Sequence, residues 1–479
     1  MTMTENNGIQ NAGERMSGPI TAAEIETARF CITYGMSAGA SQMRVSLSKS
    51  ILDSFTVLNG RLDKVMHSAD RSLFLYIFAD GKYGTFSTND FSETRLKEFI
   101  SKALDTVKML APDQCRRLPA KERKTTEAVT GQELHLFDPG YLSLTPEAKL
   151  QKAMNSSIFK SLEPDSRYTV ISEECEYSDS VDDNCVLDSE GFMGRHTETS
   201  FAICSEMTVQ DASGRKTSGY WWDSSPFCNT LAIDGCSMTA LSKAIEKIGP
   251  KRHRGGTFRM VVDRSVSSRL VSPLLSALNG AAIQQKNSFL DGSLGKNIFS
   301  ERLTITDLAT TSGKPGARLF DTEGTATSDR PVIKNGVVSM YFINTYIAEK
   351  TGLSPTIEGI SRPVVAPFFP GSMSEGDADS CLSEEFEINL PRILKLCGSG
   401  IYVTGFNGGN CNPTTGDFSY GVEGFAFRDG KITHPIREMV VTGNMITLWN
   451  GILAAGTDAR PCTRWQIPTL AFNAADFSA

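Results

Sequence analysis

Hydrophobic and polar positions along the chain fall into stretches with distinct periods. Thr21-Ala-Ala-Glu24 has the form of a capping box, a Thr and a Glu three apart that satisfy each other's backbone donors, and it predicts a helix through about residue 34. Gly35-Met-Ser-Ala-Gly39 ends that helix. Apolar residues then alternate over 43–58, as along a strand with one buried face, and Asn59-Gly60 is a two-residue hairpin signal. A second strand pair, 73–78 and 83–87, is joined by Asp80-Gly81. Leu96, Phe99, Ile100, Ala103, Leu104 and Val107 follow at helical spacing and lay one apolar stripe on a helix. Helix, antiparallel strands and helix make an α+β unit.

Periodicity fades over 111–145, where Pro112, Pro119 and Pro139 suit a connection that wraps the surface. Thr145-Pro146 starts another helix, with Thr as cap and Pro in its tolerated first position. Strands, including 199–209 and Tyr220-Trp-Trp222, continue to about Cys228, and 237–248 reads as a helix. From Gly256 the chain is strand-rich and punctuated by glycine, with helices expected at 265–279, 344–350 and 445–453 and an exposed Pro-rich loop at 361–376. The expected fold class is α+β: a flexible polar leader (1–19), an N-terminal domain of helices and antiparallel strands (20–115), a linker and middle α+β domain (116–250), and a large strand-rich C-terminal domain (251–479).

A chain of 479 residues exceeds one compact core and fits two or three domains. The net charge of -7 is spread along it, which argues against direct nucleic-acid binding. Two basic knots, Lys121-Glu-Arg-Lys124 and Lys251-Arg-His-Arg254, read as solvated loops. The first thirty residues lack the apolar run of a signal peptide, and no stretch of about 18 apolar residues suggests a membrane span. Eleven cysteines, an odd number without any C-x-x-C, suit reduced thiols in the cytoplasm.

Several patterns invite chemical readings. His67, His135, His196, His253 and His434 are far apart in sequence, so isolated histidines are expected rather than a metal cluster. Gly35-Met-Ser-Ala-Gly39 matches a nucleophile-elbow pattern, yet that chemistry needs strand, turn and helix in that order, and here a helix precedes the turn. Gly405, Gly408, Gly409 and Gly416 lack the Lys-Ser/Thr of a phosphate loop and fit tight turns or close backbone approach. In Tyr220-Trp-Trp222 strand alternation sets Trp221 opposite its neighbours, so at least one ring is expected in the core, with an interface role open to the others.

An ordered series of motifs carries a resemblance. GIYVTGFNGGNCNPTTGDFSYG at 400–421 is followed by Gly430-Lys-Ile-Thr-His-Pro435 and Thr442-Gly-Asn444. Upstream lie Phe289-Leu-Asp-Gly-Ser-Leu-Gly-Lys296, Phe320-Asp-Thr-Glu-Gly-Thr325 and Lys334-Asn-Gly-Val337, and near the start Tyr83-Gly-Thr-Phe-Ser-Thr88. In this order they resemble the TldD/PmbA family over roughly residues 25–479. One branch, TldD, resembles a zinc peptidase with an H-E-x-x-x-H helix and a Cys ligand near the C terminus; the PmbA branch, also called TldE, lacks that motif.

With Gly280 placed on the glycine that closes the motif helix, the His, Glu and His positions fall on Val271, Ser272 and Ser276. Cys462 looks like the retained Cys position. A lone thiolate does not hold zinc, which wants three or four protein ligands, so the resemblance implies the PmbA branch, with no catalytic residue, metal or cofactor of its own. Pro273 inside the run removes a backbone donor, and a locally irregular helix is expected there. In the peptidase branch the glycine-rich segment helps form the substrate cleft, which makes Gly408, Gly409, Gly416, Asp417 and Ser419 candidates for holding an extended peptide.

The implied function is that of a non-zinc subunit in a cytoplasmic TldD–TldE-type peptidase complex acting on unfolded or extended peptides. Its partner would be a TldD-like zinc subunit, or a second copy of itself, with no membrane. Family members are linked to maturation of a peptide antibiotic, turnover of an antitoxin and modulation of DNA gyrase. Two alternatives stand beside this: an active peptidase as a homodimer, and a non-enzymatic peptide-binding scaffold.

Overall fold

The computed structural model describes residues 18–370 and 387–479; the expected leader lies almost wholly outside them, as does the end of the expected 361–376 loop. The chain from Gly18 onward begins with the capping box, in which Thr21 Oγ1 accepts from Glu24 N and the Glu24 carboxylate accepts from Thr21 N at 2.8 Å. Helix α1 (Ala22–Ser37) then runs three residues past its expected end. Gly35 does not stop it: a Cβ there would come within 2.1 Å of Met43 Sδ, so this glycine serves close packing, and Gly39, at φ 111°, lets the chain leave the helix. Ser37 donates to Tyr34 O within the last turn, so it is no raised nucleophile.

A six-stranded antiparallel sheet follows, built from β1 (Gln42–Leu58), β2 (Arg61–Ala79), β3 (Lys82–Thr88), β4 (Tyr168–Asp188), β5 (Met193–Asp211) and β6 (Lys216–Ser225) in the order β3-β2-β1-β4-β5-β6. Strand β1 pairs with β4 from Arg44↔Asp188 to Leu58↔Glu174, which joins the first and second stretches of the chain edge to edge. Beneath α1 and α2 (Glu93–Met109) lie Val45, Leu47, Leu73, Leu75 and Ile77, all fully buried. Further along the same strands Phe55, Tyr177, Val181 and Phe201 form a second core under α3 (Pro146–Ser156). Helix α4 (Cys236–Glu246) covers Met207 and Val209, crossing β6 at Gly219, where any Cβ would strike Ala240 O.

The connection between these halves is only partly solvated at its basic knot. Lys124 is buried, with Nζ 2.6 Å from Asp188 Oδ2 and 2.9 Å from Glu190 Oε2, and Arg123 donates to Thr356 O at 2.7 Å. The knot crosses from the sheet to the C-terminal part, so Arg123 and Lys124 meet internal partners while Lys121 and Glu122 stay exposed, as expected of a solvated loop.

In the C-terminal part, β7 (Gly256–Val262), β12 (Gly400–Cys411), β13 (Asp417–Arg428), β14 (Lys431–Asn444) and β16 (Leu470–Ser478) are ordered β14-β13-β12-β7-β16, and β16 returns to pair with β14. The ring is thus closed, with β7 and β12 parallel and the other neighbours antiparallel. Strand β15 (Ile452–Ala455) adds to β16. A small sheet of β8 (Ile305–Asp307), β9 (Arg330–Lys334), β10 (Val337–Val338) and β11 (Pro363–Val365) lies outside the ring. Asn335 and Gly336 take φ 48° and 79° in the β9–β10 turn, as a two-residue hairpin requires.

Strand β11 corrects the exposed loop expected at 361–376. Ser361, Arg362 and Pro363 are buried, because the Asp307 carboxylate accepts from the backbone N–H groups of Ser361 and Arg362 and draws them into the sheet. Helices α5 (Ser268–Ala277), α6 (Gly280–Gln284), α7 (Thr345–Thr351), α8 (Leu390–Cys397) and α9 (Met445–Asn450) pack around the ring. No helix among the described residues is long and apolar enough to cross a membrane.

Candidate functional site: the cleft beside α5

Strand β7 ends at Val262, and the next residue, Asp263, accepts at its backbone carbonyl from Val266 and Ser267 and at its carboxylate from Ser265 N, starting the turn into α5. The helix is unbroken through Pro273, which corrects the expected irregularity. Leu270, Val271, Leu274 and Leu275 are buried in the large C-terminal core on both sides of the proline. That packing holds the helix where the missing N–H would favour a break.

The motif positions separate on this helix. Val271 is fully buried in the core and takes no part in the cleft, whereas Ser272 and Ser276, four apart, face it together with Arg269. Opposite them stands the tip of β12, where Gly408 and Gly409, at φ 62° and 76°, form a bulge between Asn407↔Gly421 and Asn410↔Ser419. A Cβ on Gly409 would lie 2.0 Å from Ser419 O, so only glycine permits this approach. Arg269 fastens helix to bulge: Nη2 donates to Gly409 O at 3.1 Å, and the guanidinium lies 4.9 Å from the centre of the Tyr420 ring. The cleft between them measures about 260 Å³.

Motifs remote in sequence meet at its rim. Phe289 N donates to Pro413 O at 2.8 Å and its ring underlies Gly416, while Asn444 Nδ2 donates to Thr415 O and to Asp417 Oδ1, both at 2.9 Å. These bonds from Asn444 and the Thr415 hydroxyl lower the pKa of Asp417. Tyr341 Oη accepts from Ser293 and Leu294 and donates to Leu290 O, fixing the 289–296 segment behind Phe289.

Among the described residues Arg269 is the only charged side chain lining the cleft; its other polar groups are the Ser272, Ser276 and Tyr420 hydroxyls, Asn410 and the Cys411 thiol. Burial pushes the Cys411 thiol up, with Asp417 adding to the effect, and burial raises Tyr420 to about 12. The surface can therefore bind through hydroxyls, one guanidinium and exposed backbone, but offers no base near neutrality. Cys462 does not join it. That residue is buried beside Arg460 and Asp223, with burial raising its pKa, and its carbonyl accepts from Ser224 Oγ on the first sheet.

Arg269, Cys411 and Tyr420 were not among the expected site residues. A signal for Arg269 was present: Arg269, Ser272 and Ser276 form a polar stripe opposite Leu270, Val271, Leu274 and Leu275. Cys411 and Tyr420 had none, because they reach the cleft through the bulge. Two of the histidines, His253 and His434, come together at one pocket beside β7 and β14, and the others stay apart. His67 pairs with Asp53 at 2.6 Å and His196 with Glu198 at 3.4 Å. Among the described residues no group of three or more His, Cys, Asp or Glu is arranged to hold a metal ion.

The PmbA/TldA metallopeptidase C-terminal domain matches residues 255–479, and domain 1 of the same family matches 44–107. The chain is 38% identical to a Bacteroides thetaiotaomicron protein of solved structure, named as a candidate modulator of DNA gyrase, with a TM-score of 0.88 over 96% of this chain and 99% of that one. It is 26% identical to the metalloprotease PmbA of Escherichia coli O157:H7 over 89% of each chain. TldE from Thermococcus kodakarensis, 17% identical, shares the fold with a TM-score of 0.78, covering 95% of this chain and 100% of that one. The chain belongs to the PmbA/TldD family.

Proposed function

We propose that this protein is a PmbA/TldE-type subunit of a cytoplasmic two-component peptidase, one that presents an extended peptide and leaves hydrolysis to a zinc-bearing TldD-type partner. The observation that carries this is the donor set of the α5 cleft. Zinc needs imidazole, thiolate or carboxylate ligands and an activated water. Val271 is turned into the core, Ser272 and Ser276 supply only hydroxyls, the single thiol is held protonated by burial, and Cys462 lies in a different cleft. These residues do not fit a zinc ion. The exposed glycine bulge and the strand leading into it suit an extended main chain lying against them.

The test mixes the purified chain with a TldD-type subunit from the same source and follows cleavage of an unfolded peptide, with metal content measured on each protein alone. Co-elution of the two chains and cleavage well above that of the partner alone are expected, with no stoichiometric zinc on this chain. Cleavage by this chain alone with one bound zinc per chain would overturn the proposal.

A further inference from the structure

A second cleft, of about 670 Å³, lies between β6 and α4 of the first sheet and the face of the ring that carries Tyr402 and Phe425. Its walls carry Trp221, Trp222, Tyr402 and Phe425, and its cations are Lys243, Lys247 and Arg460. None of these was absorbed by the α5 cleft. Arg460 is 5% exposed, and its guanidinium lies 4.2 Å from the Trp221 ring centre and 4.3 Å from that of Trp222. One nitrogen, Nη2, donates to Trp222 O, while Nη1 is buried and meets no acceptor among the described residues. A buried guanidinium with an unanswered donor is costly unless an acceptor can reach it.

The rest of the cleft points to the sign of that acceptor. Lys243 Nζ stands 5.0 Å from the Trp221 ring centre. Lys247 is paired with Glu423 at 2.9 Å, and Asp263 is engaged by the Tyr402 hydroxyl and by Ser265, so neither is free. Glu246 is the one acid among the described lining residues, against Lys243 and Arg460, although Arg460 also borders the neighbouring cleft of Asp223 and Asp234. Flat apolar walls with cations set among them favour a ligand that joins an aromatic or apolar body to an anionic group. A guanidinium presents its N–H groups as a fork that matches a carboxylate.

We propose that this cleft binds an organic carboxylate borne on a flat apolar body. The C-terminal residue of a peptide and a free aromatic acid share that chemistry. The body stacks against Trp221 and Trp222, and the carboxylate takes up Lys243 and, with a small shift of Arg460, its unanswered Nη1. Nothing in this depends on the α5 cleft holding a peptide.

Two of the four tryptophans line the cleft, so intrinsic fluorescence of the full-length chain reports on it directly. The probes are N-acetylphenylalanine, its uncharged amide, 3-phenylpropionate and acetate. Saturable quenching by the two aromatic acids is expected, with the amide and acetate about tenfold weaker or more, as loss of a charged hydrogen bond or of the stacked body requires. Tighter binding of N-acetylphenylalanine than of 3-phenylpropionate would identify a peptide end, and the reverse a free acid. Lys243→Gln, on a half-exposed residue, should weaken the acids about threefold and leave the amide unchanged. Equal quenching by acid and amide, or no saturation with any carboxylate, would overturn the proposal; because that comparison uses the unaltered chain, it does not depend on a variant folding.

Discussion

At the scale of single residues, charge and backbone geometry can be tested one group at a time. Glu24 is 7% exposed; it accepts from Thr21 N and lies 3.3 Å from Lys49 Nζ and 3.1 Å from Arg71 Nη1. Burial opposes its ionisation, but the Thr21 donors and the two cations outweigh burial and lower its pKa from the ordinary 4.5. A carboxylate lowered in the folded state adds stability that is present above its ordinary value and is lost as pH falls through the folded one. Glu24→Gln should therefore cost about 2–3 kcal/mol near neutrality, with the gap narrowing in urea titrations as pH falls below the ordinary 4.5. A gap that did not narrow with acid would mean the ion pairs are not its source.

The glycine bulge offers a paired comparison. A Cβ on Gly408 meets nothing within 4 Å, so Gly408→Ala should cost only the positive φ, about 1–2 kcal/mol. Gly409→Ala adds the clash with Ser419 O and should cost clearly more, measured as the larger fall in Tm. Capping boxes and hairpin glycines of this kind were legible in the sequence, because each is a local rule satisfied within four residues. The burial of Val271 was not: a motif position states which residue replaces a ligand, while helix packing decides where its side chain goes.

At the scale of elements, α5 shows tertiary packing prevailing over propensity. Pro273 sits six residues into the helix and leaves Arg269 O without its usual N–H partner. Pro273→Ala restores that bond and relieves the ring's clash with the preceding turn, worth about 3 kcal/mol, but frees the unfolded chain by about 0.4–1 kcal/mol. The helical gain is larger, so the variant should be more stable by about 2 kcal/mol, read from chemical denaturation. Equal or lower stability would show that the proline's ring contacts in the cleft matter more than its lost donor. The start of α1, the apolar stripe of α2 and the turns of the β1–β2 and β2–β3 hairpins matched their expected places. The first half of β2 did not reveal itself, because Leu62, Val65 and Met66 are all exposed and no face is buried to impose alternation. Strand β11 was hidden for a different reason: its burial depends on Asp307, more than fifty residues away.

At the scale of the whole molecule, the α+β class was legible but the pairing that unites it was not. Strand β1 meets β4 along fifteen residue pairs, although a linker rich in proline separates them, and nothing in a local window announces so distant a partner. The consequence is testable, since residues 20–115 carry helices and a hairpin that read as a unit by themselves. Detached from β4, that segment would expose a long edge of β1 together with Phe55 and Val57, both buried in the intact chain. It would also leave the Ile20 backbone N–H without the Asp183 carboxylate that accepts from it at 2.8 Å. A fragment spanning 20–115 should therefore be aggregated or unfolded by circular dichroism and NMR, whereas one spanning 18–250, which keeps all six strands, should retain native-like dispersion. A well-folded monomer from the shorter fragment would show that β4 is an accessory to the first domain, and the two stretches would then be separate folding units that share an edge.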